Sequence, residues 1–281
     1  METITVEDNT NELRRLQLTQ LEMLKVIDSF CKEHHIRYSL YAGTLLGAVR
    51  HKGFIPWDDD LDLCMDRSNY DRFIREWLND GPSGYIIQNK EIEPRFTQSF
   101  TKVRKEHTAY LQDENERGQW NTGIFVDIFP IDRIPGDKIR QFFFYFNVLL
   151  YQLYTREFPP PLSGRIMKST ASVILKATSF KPLRKKLRQY HYRNLVRYDK
   201  DKKLPMVAIE MTATLKQILP RELMKEFVEL PFEGCLFPCM KLYKEYLTEK
   251  YGDYEQLPPE KDRRWRHHPV ILDFEHSIDE L

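Results

Sequence analysis

The chain has 281 residues, a net charge of +1 and 41% hydrophobic residues. That length builds one large domain or two small ones and buries a substantial core. The near-neutral balance lacks the global basic field by which nucleic-acid binders attract phosphate backbones, so no nucleic acid is expected as a partner. Four cysteines, Cys31, Cys64, Cys235 and Cys239, are few and irregularly spaced. They exclude a disulfide scaffold and suit a reduced, cytoplasmic protein. Cys235 and Cys239 have no second cysteine or histidine pair nearby, so buried thiols are expected there rather than zinc.

The first dozen residues are polar and acidic, without the apolar core of a signal peptide, so secretion is not expected. Leu13, Leu16, Leu21, Leu24, Ile27 and Phe30 recur at helical spacing and predict one amphipathic helix over 12–35. A short strand over 36–41 ends at Ala42-Gly43. Thr44 is then the predicted N-cap of a helix running through Val49. Gly43 and Gly47 serve either the turn and helix packing or, at Gly43-Thr44, the close approach of a phosphate to a helix N-terminus. Of Arg50, His51 and Lys52, which follow this helix, Arg50 is the expected phosphate contact.

The run Trp57-Asp58-Asp59-Asp60-Leu61-Asp62-Leu63 comes next. Its alternation of acid and leucine has the period of a strand. Residues two apart share a face, so Asp58, Asp60 and Asp62 are expected to project together while Leu61 and Leu63 enter the core. Asp59 is expected to point away as a turn acid. Carboxylates crowded this closely raise one another's pKa unless a cation neutralises them. Hard carboxylate oxygens suit Mg²⁺ or Mn²⁺, ions that also touch substrate phosphates. The run thus predicts a metal site for phosphoryl or nucleotidyl chemistry.

A helix over 69–77 is stopped by Gly81-Pro82-Ser83-Gly84. Strands are predicted over 85–87, 100–104 and 124–129. Lys102 and Arg104, two apart, share a face and are candidates for binding donor phosphates. Asp127 lies between Val126 and Ile128, where an unpaired charge is costly. It is expected to complete the metal site or to accept a hydroxyl proton. Asp132 is expected to be a cap or turn residue. Pro130 and Pro135-Gly136 should end this part.

Residues 137–203 are helical in pattern, aromatic first and then basic, and Pro159-Pro160-Pro161 should divide them into two arms. The uncharged stretch 141–154 is too short to span a bilayer and is expected to be a buried aromatic helix. The basic stretch is a solvated face or an attraction to an anionic polymer or lipid headgroups. A short helix is predicted over 238–247. The expected organisation is a catalytic core over 1–135, a helical insertion over 136–205 and a C-terminal part, 206–281, that packs back on the core.

Strand, Gly-Thr turn, helix, Asp-x-Asp strand and lone-Asp strand follow the order of the nucleotidyltransferase fold. The expected class is therefore α/β, a nucleotidyltransferase-like mixed sheet flanked by helices, with a helical insertion. The block from Tyr41-Ala-Gly-Thr-Leu-Leu-Gly through Trp57-Asp-Asp-Asp-Leu-Asp-Leu63 resembles the signature of the LicD family. So do Asn121-Thr-Gly-Ile-Phe-Val-Asp-Ile-Phe-Pro-Ile-Asp132, Phe232-Glu-Gly234, Tyr246-Leu-Thr-Glu-Lys-Tyr-Gly-Asp253, Leu257-Pro-Pro259 and His267-His268. The basic stretch between these blocks carries no motif of the family.

The resemblance implies a phosphocholine transferase that uses Mg²⁺. It implies CDP-choline as donor and a sugar hydroxyl of a lipid-linked cell-surface glycopolymer precursor, teichoic acid or lipopolysaccharide, as acceptor. The fukutin-related proteins share the aspartate block and imply another cargo, ribitol phosphate. In this reading the metal lies among Asp58, Asp60, Asp62 and Asp127, with Asp127, Asp60 and Asp62 catalytic. Gly43, Thr44, Arg50, Lys102, Arg104 and His267 face substrate. Trp57, Tyr41, Tyr110 and Trp120 are candidates to hold a quaternary ammonium by cation–π attraction. A lipid-linked acceptor also implies peripheral contact with the inner membrane face.

Overall fold

A computed structural model describes residues 6–160, 164–208, 218–265 and 267–281. The chain opens with α1 (Val6–Glu33), then β1 (Ser39–Leu40), α2 (Ala42–Arg50), β2 (Asp62–Asp66) and α3 (Arg67–Asp80). The strands β3 (Tyr85–Gln88), β4 (Thr101–Lys105), β5 (Ala109–Leu111) and β6 (Phe125–Arg133) follow. Three helices come next: α4 (Lys138–Arg156), α5 (Arg165–Ala177) and α6 (Lys181–Val196). The last part holds β7 (Met206–Ala208), β8 (Phe227–Phe232), β9 (Cys235–Met240), α7 (Tyr243–Tyr251) and β10 (Ile271–Asp273).

The main sheet has the order β1-β2-β6-β4-β3, with β7 paired to β6. Among the described residues, β2 and β6 run parallel and the remaining pairs of this sheet are antiparallel. The class is α/β with a mixed sheet. One face of its centre is apolar: Leu61, Leu63, Val126, Ile128 and Val103 are each 0% exposed. Leu16, Leu24 and Ile27 of α1, also 0% exposed, belong to the same core.

Several expectations are corrected. Pro130 does not end β6, which continues to Arg133. On one side β6 pairs with β4 as far as Ile128, and with β7 only from Ile131. Pro130 falls in the gap between those two partners, where its missing N–H breaks no ladder bond. Asp132 is no turn residue. It is fully buried in β6 and holds Arg67 through two hydrogen bonds, Nε–Oδ1 at 2.7 Å and Nη2–Oδ2 at 2.8 Å. The segment from Pro238 to Met240 is strand rather than helix. It belongs to a β8–β9 hairpin whose turn residues, Glu233 and Gly234, both have positive φ, as a tight two-residue hairpin requires. Pro159 and Pro160 fall between α4 and α5 as expected, but a second break after Ala177 gives the 137–203 stretch three helices among the described residues rather than two arms.

Helix α4 is not wholly buried. Phe144, Val148 and Leu153 pack inward, whereas Ile139, Phe142, Phe143 and Phe146 are 74%, 67%, 58% and 51% exposed. No helix among the described residues is long and apolar enough to cross a membrane.

Candidate active site

Three neighbouring strands place three charged side chains in one row. Asp62 of β2 is in register with Asp127 of β6, and Asp127 with Lys102 of β4. Residues in register across adjacent strands share a face and lie within side-chain reach. The Lys102 ammonium donates to Asp127 Oδ1 at 2.6 Å and lies 3.3 Å from the centre of the Phe125 ring. All three residues are at most 8% exposed. Burial lowers the Lys102 pKa, against the pull of Asp127. Burial likewise raises Asp127, and Lys102 offsets part of that rise.

The strand β2 begins at Asp62, so Asp58, Asp59 and Asp60 occupy the loop before it rather than one strand face. The alternation still holds locally. The Leu61 carbonyl accepts the Asp127 N–H at 2.9 Å, which extends the parallel ladder by one residue. Asp60 is pushed up to about 6 by burial, with Asp59 and Asp127 adding to the rise. Asp62 is held well above the usual carboxylate range by burial, then by Asp60, Asp127 and Asp58. Asp58, Asp60, Asp62 and Asp127 therefore lie close enough to repel one another.

Asp59 overturns its expectation as a turn acid. It is 2% exposed, and its two oxygens receive three donors. Tyr110 Oη lies at 2.7 Å and Trp265 Nε1 at 2.8 Å from Oδ2, and His267 Nδ1 at 3.1 Å from Oδ1. Burial alone would raise the Asp59 pKa, but His267, Tyr110 and Trp265 together hold it below the usual range. The bond to Asp59 in turn raises the His267 pKa. One oxygen each from Asp58, Asp59 and Asp60 falls within 4.8 Å of the others. With both Asp59 oxygens occupied by donors, Asp59 fastens the loop while Asp58 and Asp60 flank it.

Two glutamines of α1 complete the support. Gln17 Nε2 donates to the Asp58 carbonyl at 2.9 Å, and Gln20 Nε2 to the Asp59 carbonyl at 3.0 Å. Both are at most 3% exposed. Their place in the sequence gave no signal beyond that of polar residues on a buried helix face.

Thr44 is not an N-cap. The helix starts two residues earlier, after Tyr41, whose side chain makes no capping hydrogen bond. The Thr44 hydroxyl instead accepts the Asp62 N–H at 2.8 Å, tying α2 to the start of β2. Ala42 opens the helix at φ 44°, a left-handed conformation that costs a residue with a Cβ about 1–2 kcal/mol. Gly43 is close to Asp58: a Cβ there would lie 2.7 Å from Asp58 Oδ2. Arg50 Nη1 donates to the carbonyls of Tyr254 and Gln256, holding the loop after α7. Arg104 donates to Gln88 Oε1 and to the Gly123 carbonyl, both at 2.6 Å, and its burial pulls its pKa down to about 10. Among the candidate aromatics, Tyr41 is buried, with the Lys250 ammonium 4.9 Å from its ring centre. Tyr110 serves Asp59, Trp57 is half-buried near Arg263, and Trp120 meets Phe96.

The family blocks find physical reasons here. Glu233, at the hairpin turn, accepts from Arg14 and from the Phe54 N–H, and its own N–H donates to the Lys52 carbonyl. It thereby fixes the chain that enters the aspartate loop. Trp265 and His267 reach Asp59 from more than 200 residues away in sequence.

A mixed sheet lines up Asp62, Asp127 and Lys102, with further acids on the entering loop, an arrangement of charge that can serve phosphoryl transfer. Residues 35–166 match the family described as LicD/FKTN/FKRP, nucleotidyltransferase domain. The chain is 30% identical over 268 residues to the lipopolysaccharide cholinephosphotransferase LicD of Haemophilus influenzae, covering 91% of this chain and 96% of that protein. It is also 47% identical over 85 residues to an uncharacterised protein of Rickettsia typhi, covering 29% of this chain and 26% of that one. The chain belongs to the LicD family.

Proposed function

We propose that this enzyme transfers phosphocholine from CDP-choline to a sugar hydroxyl of a cell-surface glycopolymer precursor, lipopolysaccharide or teichoic acid, and releases CMP. The observation that carries this reading is the Asp62–Asp127–Lys102 row. It stands in a chain similar over nearly its whole length to a protein named as a lipopolysaccharide cholinephosphotransferase. The all-oxygen donor set of Asp58, Asp60, Asp62 and Asp127 fits Mg²⁺ or Mn²⁺. When bound there, such an ion neutralises the donor's phosphates. In the proposed reaction the sugar oxygen forms a bond to the choline-bearing phosphorus as the bond from that phosphorus to the CMP oxygen breaks. Asp127 takes the hydroxyl proton, and Lys102 at 2.6 Å holds that carboxylate in place. In this reading the start of α2 faces the donor's pyrophosphate, and the missing Cβ of Gly43 admits the Asp58 carboxylate beside it. Positioning and charge supply most of the rate.

The test is to incubate the protein with CDP-choline, CDP-ribitol or CDP-glycerol and Mg²⁺, together with a glycan acceptor. CMP release is expected with CDP-choline, to be lost in Asp60→Ala while that variant stays folded. Release with CDP-ribitol or CDP-glycerol alone would replace the cargo and keep the site. Turnover by Asp60→Ala equal to that of the wild type would overturn the reading.

A lipid-linked acceptor requires approach to a bilayer, and the insertion suits an anionic one. Helices α4, α5 and α6 carry twelve Lys and Arg and no Asp or Glu, although the chain as a whole has a net charge of only +1. Exposed Ile139, Phe142, Phe143 and Phe146 form a stripe at i, i+3, i+4 and i+7 on α4, the pattern of a helix lying in a membrane interface. Phe142→Ser/Phe143→Ser should weaken co-sedimentation with phosphatidylglycerol vesicles by about tenfold. Unchanged co-sedimentation would remove this contact from the proposal.

A further inference from the structure

A cleft of about 500 Å³ lies between the segment after β3 and the helices α4 and α6. It shares no lining residue with the aspartate row. Seven cations line it against two carboxylates, Glu91 and Glu157, a surplus of five positive charges.

Both acids are already engaged. Glu157 is held by Lys90 at 3.0 Å and by Arg184 at 3.0 Å, and Glu91 by Arg188 Nη2 at 2.9 Å. Arg188 is the telling residue. Its side chain is 6% exposed, and its Nη1 is buried with no hydrogen-bond partner among the described residues. An orphaned guanidinium N–H is expensive to bury, and its cost is recovered when an anion accepts from it. Lys90, 8% exposed, points the same way: burial lowers its pKa, and Arg188 and Arg184 add to that effect against Glu157. At the mouth, Lys181 and Lys185 are exposed, whereas Arg156 is half-buried. Two lysines at an open rim and guanidinium forks within are the equipment for an oxyanion with several acceptor oxygens.

We propose that this cleft binds a phosphate group of the acceptor, a phosphorylated sugar or phosphodiester unit adjoining the hydroxyl that receives the cargo. The assignment rests on the proposed transfer to a glycopolymer, but the site itself does not. It would hold the acceptor at a point distant from the reacting atoms, so its binding energy would act on KM more than on kcat.

The test starts with inorganic pyrophosphate titrated calorimetrically into the full chain without divalent cation. The wild type should bind it. Lys181→Glu/Lys185→Glu, at two exposed positions that leave the core intact, should bind about tenfold more weakly with an unchanged melting temperature. Arg188→Met should weaken binding by at least as much. Equal affinity in wild type and the double variant overturns the site. With a phosphate-bearing glycan acceptor, the double variant should raise KM about tenfold and retain kcat, and a dephosphorylated acceptor should show no such difference. If KM is unmoved and binding to phosphatidylglycerol vesicles falls instead, the phosphate belongs to a lipid headgroup and the acceptor assignment is overturned. Absence of CMP release by the wild type would defeat the proposed reaction and leave the pyrophosphate result standing.

Discussion

Replacing Asp62 by asparagine should cut transfer by roughly 10²–10³-fold and, in metal-free buffer, raise the melting temperature. Both effects have one cause. Asp62 is 7% exposed and is held well above the usual carboxylate range by burial and then by Asp60, Asp127 and Asp58. An acid whose folded-state pKa is raised lowers stability once the pH exceeds its unfolded value near 3.9, and at pH 7 that loss is present. Asparagine has the same shape without the charge, so the metal-free fold gains what the repulsion cost. A gain of 1 kcal/mol moves the melting temperature of a medium-sized domain by about 2–4 °C. Mg²⁺ should then stabilise the wild type increasingly with its concentration and the variant much less. Removing a group that stabilises transition-state charge costs roughly 10²–10³-fold in turnover. Differential scanning fluorimetry with and without Mg²⁺, beside a CMP-release assay, measures all of this. A metal-free Asp62→Asn that melts lower than the wild type would show that the carboxylate is compensated and that the cluster is no cation site.

What sequence could and could not show divides along physical lines. The aspartate run was legible because a charged residue among buried neighbours breaks the hydrophobic pattern. Asp62 and Asp127 stand out in this way, each beside residues that are 0% exposed. The alignment of Lys102 with Asp127 followed from the period of a strand once β4 and β6 paired. Local reasoning failed where a long-range partner decides the outcome. Asp59 looks like a turn acid until Tyr110, Trp265 and His267 close on it from distant segments. Thr44 has the chemistry of an N-cap, but the Asp62 N–H claims its hydroxyl. Pro130 is a strand breaker by rule, and only the change of partner from β4 to β7 makes its position harmless. The aromatic run of α4 showed that an apolar face exists. Which half of it the core takes depends on where α6 packs, and Phe142 and Phe143 fell on the other side.

Gly43→Ala should separate packing from catalysis at the start of α2. Gly43 lies inside the helix at an ordinary φ, so the backbone imposes no penalty on a side chain. Alanine in a helix is favoured over glycine by roughly 0.5–1 kcal/mol, and the melting temperature should hold or rise. The added Cβ would stand 2.7 Å from Asp58 Oδ2, and no backbone atom from outside its own helix and chain neighbours lies within 4 Å of it. The carboxylate is the end of a short, movable side chain, so it yields, and the fold tolerates the change. The site does not: a displacement of about 1 Å in a positioning group costs roughly 10²-fold in rate. Gly47 is the control. A Cβ there would stand 2.5 Å from the Gly53 carbonyl oxygen, which cannot move without the chain, so Gly47→Ala should lower the melting temperature. If Gly43→Ala retains full turnover, the close approach to Asp58 has no part in the reaction. If it unfolds the protein, Gly43 serves packing, as Gly47 does.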